Sequence, residues 1–182
     1  MTHIETPRLL LRPWQPSDRA PFAALNADPR VMQFFPSTLT REESDDLASR
    51  AEAFLAEHNF GPLAAELRET GEFIGYIGLW IPTFEAHFTP CVEIGWRLAA
   101  AYWNRGLATE GAREILRRWS GPVVSFTSVA NLPSRRVMEK LGFTHDPGDD
   151  FDHPSIPEGH PLRRHVLYRS PTPRKACDTP GA

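Results

Sequence analysis

A mixed α/β chain is predicted by three observations. Two-residue and helical hydrophobic periods alternate along the sequence, giving the order β-α-α-β-β-β-α-β-α-β-β. The middle of that order, from Cys91 to Val129, holds one strand, helix, strand crossover. The 182 residues are 41% hydrophobic and 24% charged, which is ordinary globular usage and apolar enough for a real core. At this length one domain over residues 1–170 is expected, with a flexible tail over 171–182 that is rich in Pro and Lys/Arg.

The first strand is read at Arg8 to Trp14, where Leu9, Leu10 and Leu11 run up to Pro13 and Pro16. Ser17 or Asp18 offers an N-cap to a helix whose apolar face carries Phe22 and Leu25, until Asp28 and Pro29 end it. Thr40 with Glu43 forms a capping box, and Leu47, Ala51, Phe54 and Leu55 follow at helical spacing to His58. From Pro62 the period shortens to two. Leu63 to Leu67, the turn Glu69-Thr70-Gly71-Glu72 and Phe73 to Ile81 make a hairpin. Cys91 to Leu98 is a further strand, and after Ala99 to Asn104 the set Ala108, Ala112, Ile115, Leu116 and Trp119 marks a helix closed by Gly121-Pro122. Val123 to Val129, rich in β-branched residues, is the next strand. Asn131-Leu132-Pro133 turns into a short helix capped by Ser134 and stopped at Gly142. Phe143 begins another strand, and His165 to Tyr168 is the last.

Charge and composition exclude several classes. Twenty Lys plus Arg against 23 Asp plus Glu leave a net charge of -3, so no nucleic-acid partner is expected. No apolar run reaches membrane-spanning length, and the start MTHIETPR lacks a signal layout, so no membrane partner is expected. Two cysteines, Cys91 and Cys177, give no disulfide framework and favour a reducing, cytoplasmic location.

The most informative segment is Trp103 to Gly111, between a strand and a helix. Small residues at Gly106 and Ala108 let a ligand approach the backbone, and the free amides of a first helical turn suit a phosphate. The interval from Gly106 to Gly111 is that of a Walker A loop, but Ala112-Arg113 stand where Lys-Ser/Thr is required. A Gly-x-Gly-x-x-Gly is missing too, which disfavours a dinucleotide fold. The plain alternative is a tight turn without a ligand. The segment Asn131 to Phe143 reads by itself as a capped two-turn helix with Val137 and Leu141 facing inward.

Taken together these segments resemble the GNAT superfamily of acetyl-CoA-dependent N-acetyltransferases, and within it the Rim-type ribosomal-protein N-terminal acetyltransferases. The resemblance is carried by Thr6-Pro7-Arg8-Leu9-Leu10-Leu11-Arg12, by Thr70 to Gly78, and by Val92-Glu93-Ile94-Gly95-Trp96 with the Trp103 to Glu110 loop. The Asn131-x-x-Ser134 helix ending in Lys140-Leu141-Gly142-Phe143 completes it, so the match runs from Ile4 to Tyr168 in the family's order. It implies a mostly antiparallel sheet of six or seven strands, helices on both faces and a splayed pair of parallel strands.

It also implies roles. Arg105, Gly106, Leu107, Ala108 and Thr109 match the loop whose amides hold the CoA pyrophosphate, with Trp103 where many members carry Gln or Arg. Asn131 matches the residue that contacts the pantetheine arm, and Arg135 and Arg136 are within reach of CoA phosphates. Trp96, Arg97 and Leu98 lie where the strands diverge, and an amide there would receive the oxyanion. Glu93 is the first choice of base, acting through water, with a solvent-facing carboxylate as the plain alternative. Met138 occupies the position of a tyrosine acid found in many members, which leaves Ser134 as the proton donor to the thiolate or simply as an N-cap.

Thr144 to His165 holds His145, His153, His160 and His165 among carboxylates and prolines. The long spacings disfavour a zinc site, so no metal is expected, and the stretch reads as an insertion shaping the acceptor pocket. His153, His160 or His165 compete with Glu93 as base. The expected function is acetyl transfer from acetyl-CoA to a primary amine, on a peptide N-terminus or a small molecule. The net charge leans slightly toward cationic amines, and a homodimer is left open. Two rivals are a non-catalytic acyl-CoA sensor with the same fold and a phosphate-ligand module unrelated to CoA.

Overall fold

The computed structural model describes residues 3–171. One mixed sheet organises them, in the order β1-β2-β3-β4-β5-β6-β9-β7, with β8 also on β9. Six strands have four or more residues: β2 (Leu9–Arg12), β3 (Pro62–Leu67), β4 (Phe73–Trp80), β5 (Glu93–Leu98), β6 (Val124–Ser128) and β9 (Arg164–Arg169). The others, β1 (Ile4–Glu5), β7 (Thr144–His145) and β8 (Phe151–Asp152), are two residues each. All pairings are antiparallel except β5 with β6. The expected tail falls, apart from Pro171, outside the described residues.

Helices cover both faces. Along β4 the two-residue alternation sends Ile77 and Leu79 to one side and Tyr76 and Trp80 to the other. The first side meets α4 (Leu107–Arg117) and α5 (Leu132–Lys140), burying Ile77 with Leu9, Ala112, Ile115 and Met138. Gly111 lets α4 sit close, since a Cβ there would come within 2.5 Å of Ile77 Cδ1. The second side meets α1 (Arg19–Ala27), α2 (Pro29–Met32) and α3 (Arg41–His58), around Phe22, Leu25, Ala48 and Ala51. A third apolar group of Phe88, Val124, Phe151 and Leu167 closes the β6–β9 end.

Local signals set most boundaries. The Thr40 and Glu43 capping box starts α3, and Asp28 both ends α1 and caps α2, a short turn not foreseen from the sequence. The strand read at Arg8 to Trp14 contracts to Leu9–Arg12, and the helix read to Trp119 ends at Arg117. At α5 the cap is Asn131, whose Oδ1 accepts from Ser134 N–H at 3.2 Å, so the expected capping by Ser134 is corrected. Pro133 sits in the first turn, where its missing N–H costs nothing.

Candidate active site

The two parallel strands part almost as soon as they meet. Val124 N–H donates to the Val92 carbonyl at 2.9 Å, and Glu93 opposite Val124 is the one paired position. The Ile94 carbonyl then receives the Ser125 hydroxyl at 2.8 Å, so a side chain replaces the next rung of the ladder. Val92 and Ile94 turn their carbonyls toward β6, and by alternation Trp96 and Leu98 turn their N–H groups the same way, where no ladder continues.

The gap opens into a cavity of 610 Å³, in the size range of small-molecule sites. Among the expected site residues, Glu93, Trp96, Arg97 and Leu98 line it from β5. Gly106, Leu107, Ala108 and Thr109 line it from the start of α4, and Asn131 and Ser134 from the N-cap and first turn of α5. Arg105 and Arg135 do not. The Arg105 guanidinium lies 5.5 Å from the Tyr102 ring centre, and Arg135 donates to Tyr168 Oη at 3.3 Å and to the Val129 carbonyl at 3.2 Å. Arg136 and Lys140 line the cavity instead.

Helix α4 opens toward this cavity without a side-chain cap, unlike α3 and α5. The N–H groups of its first turn are left for an anion, with the helix dipole behind them. Gly106 takes φ +77°, which strains any L side chain. Space is not its reason for being glycine, since a Cβ there would meet only Arg8 Nη2 at 3.7 Å. The loop is pinned from 102 residues away: Arg8 Nε donates to Glu110 Oε2 at 2.7 Å, and Arg8 Nη1 to the Arg105 carbonyl at 2.8 Å. Thr6 Oγ1 and Arg8 N–H also donate to Glu110 Oε1, at 2.6 and 2.9 Å. The Thr6-Pro7-Arg8 stretch thus supports the loop, a role no local pattern discloses.

Glu93 is half-buried beside the splay, and burial pushes its carboxyl up to about 8. Ser134 is freed from capping, while Asn131 is engaged at both ends, donating from Nδ2 to Thr127 Oγ1 at 2.9 Å. Met138 is buried in the core and is not part of the lining. Of the loop histidines, His153 and His165 line the cavity with ring centres 5.0 Å apart. Burial, then His165, holds His153 down at about 4, and burial lowers His165, so both are neutral imidazoles at neutral pH. His145 pairs with Asp150 at 2.7 Å and His160 accepts from Leu162 N–H, both away from the lining. Val31 and the stretch Gln33 to Pro36 also line the cavity, which the sequence does not reveal.

A helix start left open to an anion beside a splayed parallel pair is matched by a known family. The model of the acetyltransferase (GNAT) domain family matches residues 8–144. The chain belongs to the GNAT acetyltransferases. It is similar to YnaD of Bacillus subtilis, an uncharacterized N-acetyltransferase, at 30% identity over 87% of this chain and 90% of that protein. Among solved structures it resembles an acetyltransferase from Agrobacterium tumefaciens, with TM-score 0.73 and 28% identity, covering 94% of this chain and 95% of the other. RimL, a ribosomal α-N-protein acetyltransferase solved with coenzyme A, shares the fold at TM-score 0.74 and 13% identity, over 93% of this chain and 98% of that one. This acetyltransferase is therefore an acetyl-CoA-dependent enzyme of the mixed-sheet GNAT fold, and transfer of acetyl to an amine is general for its family. Among the described residues, no helix is long and apolar enough to cross a membrane, and no group of three His, Cys, Asp or Glu is arranged to hold a metal.

Proposed function

We propose that this acetyltransferase transfers acetyl to a primary amine of a peptide N-terminus or small molecule, within one catalytic domain over residues 1–170 that works in the cytoplasm. The observation that carries this reading is the shared cavity of the uncapped α4 start and the parted β5 and β6. Their residues fit acetyl-CoA: the amides of Leu107, Ala108 and Thr109 hold the diphosphate, Arg136 and Lys140 supply positive charge nearby, and Asn131 borders the pantetheine path. Acetyl-CoA supplies the activated acetyl thioester.

The chain's own residues do the rest. Glu93 takes the proton of the attacking amine through water, and its raised pKa matches that task near neutral pH. An α-amine, with a reference pKa of about 7.7 to 8.0, becomes neutral far more readily than a lysine at about 10.4. Trp96 N–H, turned into the gap, receives the negative charge that develops on the carbonyl oxygen. Ser134 Oγ gives a proton to the departing thiolate and is reprotonated from water as Glu93 releases the amine's proton to it. His153 and His165, neutral and aromatic, shape the acceptor end.

Release of CoA thiol is the test, measured across peptides, polyamines, aminoglycosides and amino-acid amines. Release above background with at least one class is expected. Background release throughout, with acetyl-CoA still bound, would replace catalysis by the sensor reading.

A further inference from the structure

Among the described residues two arginines are buried, and their surroundings differ. Arg12, 6% exposed, lies between two carboxylates, Asp18 at 2.7 and 2.8 Å and Glu66 at 2.7 Å. Arg97, 8% exposed, forms no ion pair among the described residues. Its Nη1 donates to the neutral Asn26 Oδ1 at 2.6 Å, its guanidinium carbon lies 4.2 Å from the Phe35 ring centre, and its buried Nε has no hydrogen-bond partner. A buried cation without a counter-charge is costly, and aromatic faces offset only part of that cost. Arg97 lines the catalytic cavity.

Its place on β5 gives the unmatched charge a meaning. Glu93, Gly95 and Arg97 alternate onto one face of the strand, about 13 Å from first to last Cα at 3.3 Å per residue. Between the two long side chains Gly95 leaves the floor open: a Cβ there would meet nothing nearer than Glu93 Oε1 at 3.8 Å. Among the described residues of the lining, Glu93 is the one carboxyl beside Arg97, Arg136 and Lys140. With Arg136 and Lys140 at the diphosphate end, Arg97 is the lining cation left on the face that Glu93 and Gly95 share.

We propose that the acceptor is an amine carrying an oxyanion, a carboxylate or a phosphoryl group, which Arg97 receives while the amine lies near Glu93. The inference rests on the catalytic reading above and names the acceptor class of the same cavity. A guanidinium suits this task because its planar donors meet carboxylate and phosphate alike.

The test titrates the CoA-loaded protein with N-acetyl amino acids, their matched amides, and N-acetyl aminoalkyl phosphates with matched alcohols, by calorimetry. At least one anionic series is expected to bind about tenfold or more tighter than its neutral match, and the series that does so identifies the oxyanion. Arg97→Gln is expected to abolish the preference and Arg97→Lys to keep part of it. Equal binding of charged and neutral members across the panel, or a preference that survives in Arg97→Gln, overturns the proposal. Should Arg97→Gln not fold, the wild-type comparison and Arg97→Lys decide it. CoA binding without any anion preference sinks only this inference, whereas failure to bind CoA sinks the catalytic reading as well.

Discussion

The Ser125 hydroxyl lies 2.8 Å from the Ile94 carbonyl, at the point where β6 stops following β5. One short side chain thereby ends a parallel ladder without leaving a buried carbonyl unpaired. Ser125→Ala is expected to cost about 1–3 kcal/mol, because the Ile94 oxygen stays buried and loses its donor. Urea unfolding measures it, and a loss within error of zero would mean that the bond does not hold the splay.

Arg8 and Glu110 join the first strand's approach to the start of α4. Burial raises the Glu110 carboxyl, yet hydrogen bonds from Thr6 and Arg8 outweigh it and hold the group below its ordinary 4.5. The unfolded chain therefore binds the proton more readily. This contribution to stability is present above pH 4.5 and is lost as pH falls below it. Glu110→Gln should weaken acetyl-CoA binding by about three- to tenfold while leaving kcat at saturating donor near wild type. It should also flatten the acid side of the melting-temperature profile. A fall in kcat alone would contradict a loop-supporting role.

Glu93 gives the opposite sign. Burial pushes its carboxyl from 4.5 to about 8, so the folded protein keeps a proton that the unfolded chain releases. Stability from this group falls as pH rises from 4.5 to 8 and is level beyond. Glu93→Gln is expected to melt higher than wild type at pH 9, to match it at pH 4, and to lose about 10²- to 10⁴-fold in transfer rate. In the wild type kcat/KM should climb with pH to a plateau above about 8. A variant that melts no higher at pH 9, or transfers acetyl at full rate, would remove Glu93 from the role of base.

What the sequence discloses is what local physics encodes. The Thr40 capping box, the hairpin around Gly71 and the α4 and α5 faces are readable because their partners lie within a few residues or on one period. The two-residue strands β1 and β8 are too short to alternate, so they carry no such signal. Asn131 and Ser134 are both good capping residues, and Pro133 in the first turn is what favours the earlier one. The site loop is legible from Gly106, but its Arg8 support is 102 residues distant and is fixed only by tertiary packing. Net charge is a count over the whole chain and does not disclose which charges line the cavity, where Glu93 stands with Arg97, Arg136 and Lys140.

Calorimetric titration of acetyl-CoA into wild type and Gly106→Val tests the central claim most directly. A branched residue at φ +77° costs about 1–2 kcal/mol in backbone strain and displaces the α4 amides. The wild type should bind with a dissociation constant of about 1–100 μM, free adenine nucleotides at least about tenfold more weakly, and Gly106→Val about tenfold or more weaker still than wild type. Absence of binding at millimolar acetyl-CoA, or full affinity retained in Gly106→Val, would contradict the assignment of the α4 start as the diphosphate site.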